Sequence, residues 1–241
     1  EPPWGMLSGV RPVKLPTRAM EEGSTPRQAE AMLKHYHVSP VRRQLAMDCA
    51  QASLAVKRSL QPEEISLYVG IPFCPTRCAY CSFISASGSA NRLIPAYLDA
   101  LFGEIDAAGE AARRAGKTVR TVYIGGGTPT TLAPDQLKAL LDRLHTAFDL
   151  APGTEFTVEA GRPDTITREK LEAIRDGGGN RISVNPQTMS DLVLETIGRS
   201  HRAEDIRQAY ALAREVRVGA INMDLIAGLP ADTPAGFAAT L

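Results

Sequence analysis

The chain has little cysteine, histidine or aromatic content: four Cys, four His and one Trp in 241 residues, with aromatics at 5%. So few cysteines in so long a chain exclude a disulfide framework, which belongs to small secreted scaffolds. Net charge is missing too, since 27 basic side chains balance 27 acidic ones. That balance gives no electrostatic reason to expect nucleic acid or an anionic membrane as partner. No apolar run approaches the roughly 18–20 residues of a membrane span. What remains is an ordinary globular composition, 44% apolar, long enough for one large domain and an appendage. The chain begins at Glu1 rather than Met and stops at Leu241 inside a helical pattern. It reads as a piece lacking residues at both ends.

The scarce cysteines are concentrated. Three of the four lie in one loop, Cys74-Pro-Thr-Arg-Cys78-Ala-Tyr-Cys81, directly after the apolar run Leu67–Phe73. A C-x3-C-x2-C loop can give one thiolate to each of three irons of a cubane, whereas a closed electron carrier needs a fourth protein ligand. The fourth iron would stay open, as catalytic zinc keeps one position for substrate. An open iron can bind and reduce a small molecule. A structural zinc site is the competing reading, but it needs four ligands, usually in two pairs. Cys49 lies upstream in a helical stretch, and His35, His37, His145 and His201 are scattered. Cys49 reads as a buried helix residue without chemistry, and His35 and His37 as surface residues. Exposed, reduced cysteines holding an oxygen-sensitive cluster suit a reducing compartment, so a cytoplasmic location is expected.

Residues 63–241 alternate strand and helix patterns. Apolar, β-branched runs fall at Ser66–Ile71, Thr118–Ile124, Glu155–Val158, Arg181–Val184 and Ala220–Ile226. Helical stretches between them cover Leu93–Ala115, Ala133–Phe148, Thr167–Asp176 and Ala203–Val216, with Leu137, Leu140, Leu141 and Leu144 on one stripe. Alternating βα units predict an α/β fold with parallel strands covered by helices. Periodicity does not separate a partial barrel from an open doubly wound sheet. In both, function gathers at the carboxyl ends of the strands. Residues 1–62 differ and form an N-terminal helical extension. Ser24 or Thr25 caps a helix with Pro26 at its first position, running to about His37. Val38-Ser39-Pro40 breaks it, and a second helix follows to about Leu60. A helical hairpin packed on the second domain is expected; a DNA-reading helix-turn-helix does not suit the neutral charge.

Several polar motifs sit at strand ends. Gly125-Gly126-Gly127-Thr128 is either a tight strand-to-helix turn or a place where a ligand meets backbone; without a following Gly-Lys-Ser/Thr it is no phosphate loop. Glu159 ends the third strand, as a surface ion-pair partner or a ligand contact. Arg162 and Asp164 occupy a Gly-Arg-Pro-Asp turn, where a turn role and a ligand role are equally open. Asp224 interrupts the fifth strand, and a buried carboxylate there needs a partner.

The cysteine loop resembles the cluster signature of the radical S-adenosylmethionine (radical SAM) superfamily. Tyr68-Val-Gly-Ile-Pro-Phe-Cys74 and Cys81-Ser-Phe83 are similar to the oxygen-independent coproporphyrinogen III oxidase (dehydrogenase) family. So are Gly125–Thr130, Val158-Glu-Ala160, Arg181–Gln187 and Asn222–Pro230. Residues 4–12 and the helices after them resemble an extension found in one subgroup. The resemblance implies a partial (β/α)6 barrel whose last strand is missing. It implies a [4Fe–4S] cluster on Cys74, Cys78 and Cys81, and S-adenosylmethionine held by Tyr68, Tyr80, Gly126, Gly127, Thr128, Glu159, Gln187, Arg199 and Asp224. No protein general base is implied. The implied reaction is oxidative decarboxylation of the tetrapyrrole coproporphyrinogen III to protoporphyrinogen IX, with an external electron donor such as flavodoxin or ferredoxin. Two departures stand out. Phe83 occupies the position where the best-known bacterial oxidases carry a fourth cysteine, and haem-trafficking relatives share that feature. Asn185-Pro186 replaces the usual Gly-Val before Gln187. A haem-binding chaperone and a radical SAM enzyme for another substrate remain the alternatives.

Overall fold

The computed structural model describes residues 2–7 and 11–241; residues 8–10, inside the extension motif at 4–12, lie outside the described residues. The chain divides into two compact units, Glu1–Pro62 and Glu63–Leu241.

The first unit is helical: α1 (Lys14–Glu21), α2 (Pro26–His35) and α3 (Pro40–Ser59). Thr25 is the cap of α2. Its hydroxyl accepts from Gln28 N–H, and the Gln28 side chain accepts from Thr25 N–H at 2.8 Å, a reciprocal capping box. A core of its own, with Leu7, Met20, Leu33, Met47 and Leu54, holds the three helices. The expected hairpin is therefore a three-helix unit. Its first helix is only 8 residues long and carries Pro16 near its start, which hides it from pattern reading. The buried stripe of α3 is Ala46, Met47, Ala50 and Leu54. Cys49 falls off that stripe and is exposed, contrary to expectation.

The second unit runs β1 (Glu64–Ile71), β2 (Phe73–Cys74), β3 (Ala86–Ser87), α4 (Ile94–Arg114), β4 (Thr118–Gly126), α5 (Pro134–Phe148), β5 (Glu155–Glu159), α6 (Arg168–Asp176), β6 (Arg181–Ser183), α7 (Asp191–Thr196), α8 (Ala203–Val216), β7 (Ala220–Asn222) and α9 (Pro234–Thr240). Five strands form one parallel sheet in the order β1-β4-β5-β6-β7. The order follows the chain without reversal. A doubly wound sheet reverses its order at a switch point; progression in one direction is how a (β/α) barrel grows. This is a partial barrel.

Strand alternation sorts the two faces. Val69, Ile71, Val122, Ile124, Phe156, Val158 and Ile182 are buried in the main core together with the Leu137, Leu140, Leu141 and Leu144 stripe of α5. Tyr68, Tyr123 and Glu159 occupy the alternate positions of their strands. The β2–β3 ladder pairs Phe73 with Ala86 and Cys74 with Ser87, closing the cysteine loop at its base. β7 stops at Asn222 rather than Ile226, so Asp224 lies in the loop beyond it and is exposed instead of buried. Among the described residues, no helix is long and apolar enough to cross a membrane.

Candidate active site

The carboxyl ends of the parallel strands meet in a cavity of about 430 Å³. Cys74, Cys78, Tyr80, Cys81, Gly126, Gly127, Thr128, Glu159, Gln187, Arg199 and Asp224 all line it, with Thr76, Phe83, Arg162 and Asn185. The first eleven are all site residues expected from the sequence; folding brings them together around one space. Tyr68 is the exception. It is not among the lining residues but stacks on Tyr123, with ring centroids 5.8 Å apart and planes 9° from parallel.

The cysteine loop is seated against the glycine turn. Cys74 is buried at the end of β2, while Cys78 and Cys81 are partly exposed. The Gly127 N–H donates to Ile71 O and the Thr128 N–H to Phe73 O, both at 2.8 Å. Thr128 Oγ1 stands 3.4 Å from Cys74 Sγ. A Cβ on Gly127 would come within 2.7 Å of Phe73 O and 3.0 Å of Cys74 Sγ, so only glycine fits. Gly126 has φ +110°, which also requires glycine.

In the same cavity, Glu159 accepts a hydrogen bond from the Tyr123 hydroxyl. Burial pushes its carboxyl above the usual range, and the nearby Asp224 charge adds to the rise. Arg199 is buried; it donates to Gly161 O at 3.1 Å and to the Tyr80 hydroxyl at 2.8 Å. Its Nε has no partner, and among the described residues no carboxylate pairs with it. A buried guanidinium without a counter-charge fits an anionic ligand. Gln187 is held at φ +68°, a left-handed conformation costly for a residue with a side chain. Its backbone is clamped by hydrogen bonds from its N–H to Asp224 O and from Ile226 N–H to its carbonyl, both 3.0 Å. Asn222 Nδ2 donates to the Asp224 carboxylate at 2.8 Å, and the Asp224 N–H approaches Asn185 Oδ1 at 3.3 Å.

Sequence reading misses the role of Tyr123, whose signal is its even register with Gly125 on β4, and of Asn222, two residues before Asp224. Neither signal is legible before strand pairing is known.

The sequence matches the radical SAM superfamily over residues 68–241. The chain belongs to that superfamily. Radical SAM proteins use a [4Fe–4S] cluster and S-adenosylmethionine. The chain is 40% identical over 235 residues to the oxygen-independent coproporphyrinogen-III oxidase-like protein HemZ of Bacillus subtilis, covering 95% of this chain and 47% of that protein. It is 39% identical over 169 residues to the heme chaperone HemW of the same organism, covering 70% and 44%. Among solved structures, coproporphyrinogen III oxidase (HemN) from Escherichia coli superposes with a TM-score of 0.69 at 34% identity, over 79% of this chain and 43% of that one. The chain thus falls in the coproporphyrinogen oxidase-like family of radical SAM proteins, and spans about half the length of the curated relatives it matches. Its site suits the family's cofactors. The three thiols share the cavity, and no three Cys, His, Asp or Glu among the described residues converge on a single-ion position. Three thiolates on one cavity can each take one iron of a cubane.

Proposed function

We propose that the protein is a radical SAM oxidoreductase that oxidatively decarboxylates coproporphyrinogen III to protoporphyrinogen IX. Cys74, Cys78 and Cys81 would hold the cluster, which when bound supplies the electron that splits S-adenosylmethionine. The remaining site residues would hold S-adenosylmethionine. The Gly126–Gly127 backbone and Glu159 suit the methionyl amino group, and the unmatched Arg199 guanidinium suits the carboxylate. Asp224, oriented by Asn222, suits the ribose hydroxyls, and the Tyr80 ring offers a contact between loop and cofactor. Gln187, fixed by its backbone clamp, would add a contact at the cavity lining. In the reaction each of two propionate side chains would give up one hydrogen atom, which leaves in 5′-deoxyadenosine, one electron, which passes to an external one-electron acceptor, and carbon dioxide, and become a vinyl group. The chain's part is to orient the reactants and keep water and oxygen away.

One observation carries the choice of reaction. The match to the oxidase-like protein runs over 95% of this chain, including the N-terminal helical unit, whereas the match to the heme chaperone covers 70%. The chaperone reading rests on Phe83, which replaces a fourth cysteine and stands 67% exposed at the cavity wall. An external electron donor of the flavodoxin or ferredoxin kind belongs to the proposal, as does a cytoplasmic setting. Anaerobic incubation of the full-length protein with S-adenosylmethionine, reductant and coproporphyrinogen III tests it. The expected result is 5′-deoxyadenosine formed only with substrate, in step with vinyl product. Tight haem binding without decarboxylation would favour the chaperone instead, and turnover on neither would point to another substrate.

A further inference from the structure

The Gly161-Arg162-Pro163-Asp164 turn, ambiguous in sequence, has a definite structure. Arg162 is 3% exposed and uses every face of its guanidinium. Nε and Nη2 form a fork on the two Asp164 oxygens, each at 3.1 Å. Nη1 turns the other way and donates to the Thr76 carbonyl at 3.1 Å and to its hydroxyl at 2.8 Å. Thr76 is the middle of the Cys74–Cys78 segment. The same Nη1 stands 4.0 Å from Cys78 Sγ. Behind the pair, Ser200 Oγ donates to Asp164 at 3.0 Å, and the buried His201 ring lies 3.8 Å away, beyond hydrogen-bond range.

A flexible lysine would provide a point charge; the planar fork fixes an orientation. Asp164 holds one side of that fork, so the other side has a single place to reach, and that place is the cysteine loop. We infer that Arg162 is a positioning residue for the cluster. It anchors the loop through Thr76, and its cation beside Cys78 makes the bound cluster easier to reduce. This rests on the reading of the three cysteines as cluster ligands. Reduction adds one negative charge, and a fixed cation a few ångströms from a ligand sulfur stabilises the reduced form relative to the oxidised one. Asp164 lies on the far side of the guanidinium and offsets this only in part.

The test compares Arg162→Gln, Arg162→Lys and the double variant Arg162→Met/Asp164→Leu in anaerobically reconstituted protein. The double variant leaves no unpaired buried charge and is the one chosen to fold if the single change to Gln does not. Iron per chain and the midpoint potential, followed by the paramagnetic signal of the reduced cluster, are the readouts. The expected result is near-normal iron in every folded variant and a more negative midpoint for the Gln and double variants. At a fixed ambient potential the reduced fraction of the Gln variant should fall by about tenfold, that of the double variant by less because the offsetting Asp164 charge goes with it, and Lys should stay close to wild type. A merely structural residue would not separate Lys from Gln. An intact cluster with an unmoved midpoint in the Gln or double variant, or equal shifts for Lys and Gln, overturns the inference and leaves the cluster reading standing. A wild-type protein that takes up no iron refutes the cluster reading and this inference with it.

Discussion

Gly127→Ala isolates how tightly the cysteine loop is fitted to the barrel. The new Cβ would sit 2.7 Å from Phe73 O and 3.0 Å from Cys74 Sγ, and the nearer atom is backbone, which cannot swing aside. Relief requires moving β2 away from the glycine turn. That stretches the 2.8 Å hydrogen bond from Thr128 N–H to Phe73 O, a loss of about 1 kcal/mol. Overpacking a fitted site adds about 1–3 kcal/mol. The expected cost is therefore about 2–4 kcal/mol, or a fall in Tm of roughly 5–15 °C for a unit of this size. Because Cys74 moves with β2, iron per chain should fall together with stability. Gly103→Ala is the control: Gly103 lies exposed in α4 with nothing within 4 Å of the added Cβ. There the substitution should stabilise by about 0.5–1 kcal/mol. Thermal unfolding and iron assays on both variants check the argument. A Gly127→Ala protein with unchanged Tm and iron content would refute it.

Replacing Cys74, Cys78 or Cys81 by alanine should abolish the reduced-cluster signal, while Cys49→Ala leaves it intact; stoichiometric zinc in place of iron would overturn the site. Arg199→Ala and Asp224→Ala should keep iron yet weaken S-adenosylmethionine binding by about 1.5–3 kcal/mol each, measured by equilibrium titration. Unchanged affinity in both would make them structural residues. Asp164 sets an acid limit. Burial works to raise its carboxyl, but the approach of His201 and the Arg162 fork outweigh that and hold it well below the usual carboxylate range. Its stabilisation is complete above about pH 4 and fades only as pH falls towards the depressed folded value. Asp164→Asn should cost about 3 kcal/mol at pH 7, because Arg162 is left buried and unpaired. That gap should shrink on acid titration below pH 4, and a constant gap would contradict the assignment.

The local signals are legible in the sequence. Cysteine spacing, the glycine turn and the leucine stripe of α5 each lie within one element, and every strand of the main sheet falls within a few residues of its expected place. Topology is not legible, because period alone cannot say whether strand order reverses; pairing decides it. What sequence hides are partnerships between distant positions. Arg162 meets Thr76 across 86 residues, and Tyr123 meets Glu159 across 36. Asp224 misleads because an acid among apolar neighbours reads as buried, whereas β7 ends before it and releases it to solvent. The short helices α1 and α7, of 8 and 6 residues, carry too few turns to show a period.

The two-residue β2–β3 ladder carries a consequence for how the protein is loaded. Its backbone pairing draws together the two ends of the segment that bears Cys78 and Cys81, and Cys74 is itself a rung. Closing a flexible segment of this length costs about 2 kcal/mol of chain entropy. Here backbone pairing, whose hydrogen bonds need no metal, meets part of that cost. Zinc fingers are the opposite case, since they fold only when the metal gathers their ligands. For this loop the ladder leaves less chain entropy to be lost when a cluster binds, so the same residues 74–81 as a free peptide should hold a cluster more weakly.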